Sequence, residues 1–167
     1  MRKTLNALCL LMLFNAGCAT ANPDAQTSAN VESTIFEVQV KEGLSAQDVR
    51  DSIKSVSAGM NFVTAAKFDI AEQMKKRDID PQGVKEVFAV CNLSYGSEII
   101  LDHPEFSVFA PCRIALYEKN GQLFLAMARP TNDLKSIKNP TERARKSATE
   151  MEQKFIELIT RASKGEI

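Results

Sequence analysis

The sequence predicts an α+β domain of two layers: a mostly antiparallel sheet of about five strands with helices packed on it, in the order β-α-β-α-β-α-β-β-α. Three observations carry this. Thr34 to Val40 alternates apolar and polar side chains with period two, as a half-buried strand does. Apolar stripes of helical period follow capping residues at Ser45 and Asn139. Asn120-Gly121 stands between two apolar runs, the strongest short signal for a hairpin. A chain of 167 residues fits one such domain.

The chain opens on a leader over residues 1–21. Arg2 and Lys3 precede a short apolar run from Leu5 to Phe14. A run of this length falls well short of the roughly twenty residues a membrane-spanning helix needs, but it suits a signal peptide. Ala16-Gly17-Cys18 resembles a bacterial lipobox, in which the cysteine is lipidated and becomes the mature N-terminus. Asn15 departs from the aliphatic residue usual there. Ala19-Thr20-Ala21 offers ordinary cleavage instead. The expectation is an exported protein, held by a lipid on Cys18 at the periplasmic face of the outer membrane, or soluble in the periplasm after cleavage at Ala21. Residues 22–33 are small and polar and read as a flexible linker, leaving 34–167 as the domain.

Within the domain, Gly43 breaks the first strand. Ser45 and Asp48 form a capping-box variant, Val49, Ile53 and Val56 share one helical face, and Gly59 ends the helix. A second strand spans Phe62 to Phe68. Asp69 then caps a short helix that ends in Lys75, Lys76 and Arg77, where cations suit the helix dipole. Val84 to Val90 is apolar along most of its length and reads as a central strand. Asn92 caps a third helix that stops before His103-Pro104. Glu105 to Pro111 reads as extended or irregular. Arg113–Glu118 and Leu123–Ala128 flank the Asn-Gly turn, and Pro130 to Lys138 reads as loop. The last helix, over about 140–164, takes Asn139 as cap and Pro140 as first residue. Its stripe of Ala144, Ala148, Met151, Phe155 and Ala162 docks on the sheet. Six basic and five acidic residues over 140–166 are not the basic face a membrane-surface helix favours.

The formal charge is zero. Without Arg2 and Lys3, 19 basic residues face 21 acidic ones. No basic excess remains to neutralise phosphates, so the reading is no nucleic-acid partner.

The stretch from Cys91 to Arg113 carries a resemblance. Cys91-Asn92, a helix ending in Ile100-Leu101, Pro104-Glu105, and Ala110-Pro111-Cys112-Arg113 resemble the domain of unknown function 302 family. Leu93 and Ala110 stand where that family more often has Pro and Leu. The resemblance covers roughly residues 34–130. It implies a small α+β domain without an established activity, and it implies a homodimer as an expectation.

Chemistry concentrates in the same stretch. Cys91 ends one strand and Cys112 starts another. If those strands are antiparallel neighbours, the thiols can meet. Four readings stand: a structural disulfide, a thiol pair for redox or sulfur transfer, two unlinked apolar cysteines, or a metal site completed by His103. The competing role for His103, the single histidine, is a cap on a free carbonyl at its helix end. Arg113 could lower the Cys112 pKa or hold an anion; otherwise it faces outward from its strand. One histidine and no G-x-S-x-G exclude a recognisable Ser-His-Asp set, and no Gly-rich phosphate loop is present.

The expected function is therefore a non-enzymatic envelope module that binds or senses a small ligand, with Cys91, Asn92, Cys112 and Arg113 as pocket candidates. One alternative is a periplasmic thiol, sulfur-handling or metal protein, which requires a cysteine of lowered pKa. The other is a structural accessory, which requires bonded cysteines and no pocket. No cofactor is named by any motif.

Overall fold

The structure is a computed structural model that describes residues 33–167. The leader, Cys18, the alternative cleavage point at Ala21 and nearly all of the linker lie outside the described residues.

Five strands form one sheet: β1 (Ile35–Gln39), β2 (Val63–Asp69), β3 (Lys85–Cys91), β4 (Cys112–Lys119) and β5 (Gln122–Ala128). Their order is β1-β5-β4-β3-β2, and every adjacent pair is antiparallel. The α+β reading thus holds. Strand alternation places Phe88 and Val90 of β3, Ile114 and Leu116 of β4, and Leu125 and Met127 of β5 on one face. These side chains are buried together with Val49, Ile53 and Val56 of α1 (Ala46–Gly59), Ile99 of α3 (Leu93–Asp102), and Phe155, Leu158 and Ile159 of α5 (Glu142–Ala162). The opposite face carries Ile35, Val63 and Phe68, which are 53%, 55% and 57% exposed.

Local chemistry explains the boundaries. The Ser45 hydroxyl accepts the Asp48 N–H at 3.2 Å, and the Asp48 carboxylate accepts the Ser45 N–H at 2.8 Å, so the α1 capping box is complete. Asp69 caps the short α2 (Ile70–Lys75) by accepting the Glu72 N–H at 2.8 Å. Asn120 and Gly121 both take positive φ, 53° and 74°, as the tight β4–β5 turn requires.

Helix α1 ends at Gly59, as expected, and the chain turns away from it through Asn61 at φ 60°. Three expectations need correction. Residues Pro104–Phe109 form a 3₁₀ helix, not an extended piece, because Pro104 suits a helical first turn and Phe106 anchors it in the core. Residues 130–138 are not plain loop. Pro130–Asp133 is a single helical turn, α4, and Leu134–Ser136 is a 3₁₀ turn, with Leu134 and Ile137 buried. The cap of α5 is Thr141, not Asn139: Asn139 is left-handed at φ 52°, and the Thr141 hydroxyl accepts the Ala144 N–H at 3.0 Å.

Candidate functional site

The β3–β4 pair positions the site. Val90 lies opposite Cys112, so the strand ends carrying the two cysteines coincide. That is the geometry in which the thiols can approach, yet both are free thiols here. The twenty residues between them leave the sheet as α3 and return through the 3₁₀ turn and a cis Ala110–Pro111 bond.

This excursion encloses an apolar pocket of about 240 Å³. Its floor is Cys91 and Cys112, its walls are Gly96, Ile100, Phe106 and Ala110, and Met151 of α5 closes the back. Leu93 and Leu101 also line it while 66% and 74% exposed, which marks them as its lips. The space next to Cys91 exists because residue 96 has no side chain. A Cβ built there would reach the Cys91 sulfur at 4.0 Å, and nothing else within that distance. Asn92 stands at the base of α3, 4% exposed, with its side-chain oxygen accepting the Ser94 N–H at 3.1 Å.

The pocket's character sets the chemistry of its thiols. Burial pushes the Cys91 thiol up. Burial pushes Cys112 further, to about 12, with the neighbouring Cys91 and Asp133 adding to the shift and Arg113 opposing it. Both sulfurs are therefore protonated at neutral pH and behave as soft apolar lining rather than as nucleophiles. The thiol-exchange reading needed a lowered pKa, and both thiols shift the other way.

The remaining candidates are placed elsewhere. Arg113 follows Cys112 on β4, so alternation turns it to the opposite face of the sheet; it is exposed and absent from the pocket walls. It is a correction to the expected pocket set. His103 is also outside the pocket. Its Nε2 accepts the Thr141 N–H at 3.0 Å, and its Nδ1 lies 3.6 Å from the Glu105 carboxylate. It caps the start of α5, not a carbonyl at the end of its own helix. Beside it, Asp102 accepts the Thr141 hydroxyl at 2.7 Å and the Arg143 Nε–H at 3.0 Å. Those bonds, Arg143 first, hold the Asp102 carboxyl down to about 2. Among the described residues no group of three or more His, Cys, Asp or Glu side chains is arranged to hold a metal ion.

A larger hollow of about 540 Å³ lies by α2, lined by Arg50, Asp69, Glu86 and Glu118 among others. Two of its charges, Arg50 and Glu86, are already engaged with each other. The carboxylate of Glu86, 3% exposed, receives the Arg50 Nε at 2.9 Å and the Lys67 Nζ at 3.3 Å. The smaller pocket is thus the better ligand site, since its walls make no such internal pairs.

Sequence reasoning reached Cys91, Asn92 and Cys112 but missed Phe106, Met151 and Gly96. Met151 is distant in sequence and carried no local signal. Gly96 did carry one: a glycine inside a helical stretch is unfavourable and invites a reason.

Comparison with known proteins places the chain in a family and supports its fold. The family description "Domain of unknown function DUF302" matches residues 36–162, running beyond the cysteine motif to the end of α5. A curated relative, described as "Uncharacterized protein" from Aquifex aeolicus (strain VF5), is 34% identical over 88 residues, covering 53% of this chain. The match spans about half of that relative's length, 54%. A solved structure, "Crystal structure of uncharacterized conserved protein DUF302 from Bacillus stearothermophilus", aligns with a TM-score of 0.71 at 16% identity, over 77% of this chain and 98% of that one. At that identity the likeness speaks to the fold.

Proposed function

The chain belongs to the DUF302 family, a domain of unknown function, and from that premise we propose that it is an exported, non-enzymatic module that binds a small neutral ligand in the pocket between α3, the 3₁₀ turn and the Cys91–Cys112 strand ends. One observation carries the reading: an apolar pocket of about 240 Å³ lies at the residues that hold the family resemblance. Export rests on the leader of residues 1–21, with Cys18 as the lipid anchor to the membrane.

Size and polarity narrow the ligand. An apolar cavity of about 150 Å³ holds a benzene-sized molecule, so this pocket takes a body of roughly ten non-hydrogen atoms. Drug-sized ligands need about 300 Å³ or more. At roughly 0.5 kcal/mol per non-hydrogen atom, such a ligand binds with Kd on the order of 0.1 mM. No charged side chain lines the walls, so the buried part is uncharged.

The test is titration of the ¹⁵N-labelled protein with cumene (isopropylbenzene), followed by NMR. Amides of Cys91, Gly96, Phe106 and Cys112 should shift in a saturable way. Gly96→Met, which directs a side chain into the vacant space beside Cys91, should abolish the shifts while leaving the rest of the spectrum intact. Binding that survives Gly96→Met would place the ligand elsewhere and sink the reading.

A further inference from the structure

The pocket has an apolar rim as well as an apolar interior. Leu93, Ser97 and Leu101 stand four residues apart on α3, so they share one helical face, and all three line the pocket. Leu93 and Leu101 are 66% and 74% exposed, and Val108, on the 3₁₀ turn that supplies Phe106 to the walls, is 71% exposed. Among the described residues, three of the eight exposed large hydrophobic side chains thus sit on these two consecutive elements. Such a concentration marks a surface that meets another apolar phase.

The course of the chain indicates which phase. Ile35 of β1 pairs with Ala128 of β5, Met127 of β5 with Ile114 of β4, and Cys112 of β4 with Val90 of β3. The described chain therefore enters at the end of the sheet that carries the pocket floor, two strand spacings or about 10 Å across from Cys112. Fourteen residues, 19–32, separate Cys18 from Ser33. A coil of that length spans about 20 Å r.m.s.. A lipid on Cys18 would thus hold the pocket end of the sheet toward a bilayer, and the far end, with the Asn120-Gly121 turn, away from it. The charged side chains of α3 and the 3₁₀ turn are Glu98, Asp102 and Glu105, all acidic. They disfavour an anionic surface and suit a zwitterionic one.

Resting on the pocket reading above and on a lipid at Cys18, we propose that the rim of Leu93, Leu101 and Val108 docks on a phospholipid bilayer, and that the pocket's ligand is the end of a phospholipid acyl chain. The rim lies at the boundary of headgroups and acyl chains. A chain end of roughly ten carbons suits the pocket of about 240 Å³, meets Ile100, Phe106 and Met151, and brings no charge to walls that hold none. Binding is noncovalent.

The protein purified with its native N-terminus is first weighed intact. It is then placed in phosphatidylcholine vesicles that contain a phosphatidylcholine with a diazirine at its acyl-chain terminus, irradiated, and mapped by peptide mass spectrometry. The expected adducts fall within residues 91–112. They should be lost in Gly96→Met, which fills the space beside Cys91, and reduced in Leu101→Ser, a change at an exposed site that spares the fold. A probe with the diazirine on its headgroup should still label the rim in Gly96→Met. Chain-terminal adducts unchanged in either variant, or adducts from the headgroup probe alone, show a bilayer nearby with no chain in the pocket and overturn the proposal. An intact mass without acyl groups removes the tether and overturns it as well. Cumene shifts without chain-terminal adducts confine the failure to the membrane assignment, and the absence of both overturns the pocket reading too.

Discussion

Gly96 sits inside α3 with a Cβ-sized opening and helical neighbours. Alanine there removes the entropic disadvantage of glycine in a helix without a steric one. Gly96→Ala should therefore raise stability by about 0.5–1 kcal/mol in a urea titration; a loss of stability would mean the open space is structurally needed. The two thiols make a second prediction at this scale. With a pKa of about 12, Cys112 should react with iodoacetamide far more slowly than Cys91, whose thiol is raised less far. Mass spectrometry of the native protein should find Cys91 labelled first. The Cys112 shift also fixes a direction for stability against pH. Its folded value lies above the ordinary thiol value of 9.0, so the stabilisation is complete below pH 9 and is lost as pH rises toward 12. Cys112→Ala should flatten that alkaline limb. None of this was legible in the sequence, because a cysteine's environment is made by what folds over it. The same two cysteines suited a staple, a metal ligand or a nucleophile until Phe106 and Met151 were seen to close the pocket around them.

At the scale of elements, the junction of α3 with α5 is the informative one. Asp102 and His103 end one helix and together receive the Thr141 hydroxyl, the Thr141 N–H and the Arg143 guanidinium that begin the other. Thr141→Ala removes a cap and should cost about 1–2 kcal/mol by denaturant titration. The carboxyl of Asp102 lies at about 2, below its ordinary 3.8. Its contribution is therefore full above pH 4 and fades as pH falls through 2. The stability gap between wild type and Asp102→Asn should close over that window, and a gap that stays constant would mean the carboxylate's charge is not what Arg143 reads. Element types were largely legible here: Ser45, Asp69 and Asn92 cap the helices they were expected to cap, because those side chains act within their own turn. The cap of α5 was not legible. Thr141 takes that place in company with His103, whose approach depends on how α3 packs, and no window of local sequence contains both residues.

Over the whole molecule, the sheet is tied to its helical layer by a buried ion pair. Arg129 at the end of β5 meets Glu152 of α5 at 2.6 Å and lies over the Phe36 ring at 5.5 Å, while Glu152 also receives the Thr131 N–H at 3.1 Å. Glu152→Ala removes the carboxylate that meets Arg129 and accepts the Thr131 N–H, and should cost about 3 kcal/mol. A loss near zero, measured by thermal or denaturant unfolding, would show that the tie is incidental. The fold class and the antiparallel pairing were legible because hydrophobic alternation and the Asn-Gly turn specify them directly. The strand order was not. Nothing local states that β1 lies beside β5, or that β3 and β4 are neighbours across a twenty-residue excursion, and the meeting of the cysteines depends on that order.

That order also sets a sequence of events in time. The β4–β5 hairpin joins residues a few positions apart, whereas β1 pairs Ile35 with Ala128 across about ninety residues of chain, a far slower closure. The hairpin is thus the natural nucleus, and β1 is the strand that docks last. In folding kinetics, Gly121→Ala should slow refolding, since it strains a turn formed early, and Val38→Ala should chiefly speed unfolding. The exposed edge of β5 would then stand open until the first strand arrives, which makes the arrival of β1 the step that protects the refolding chain from its neighbours.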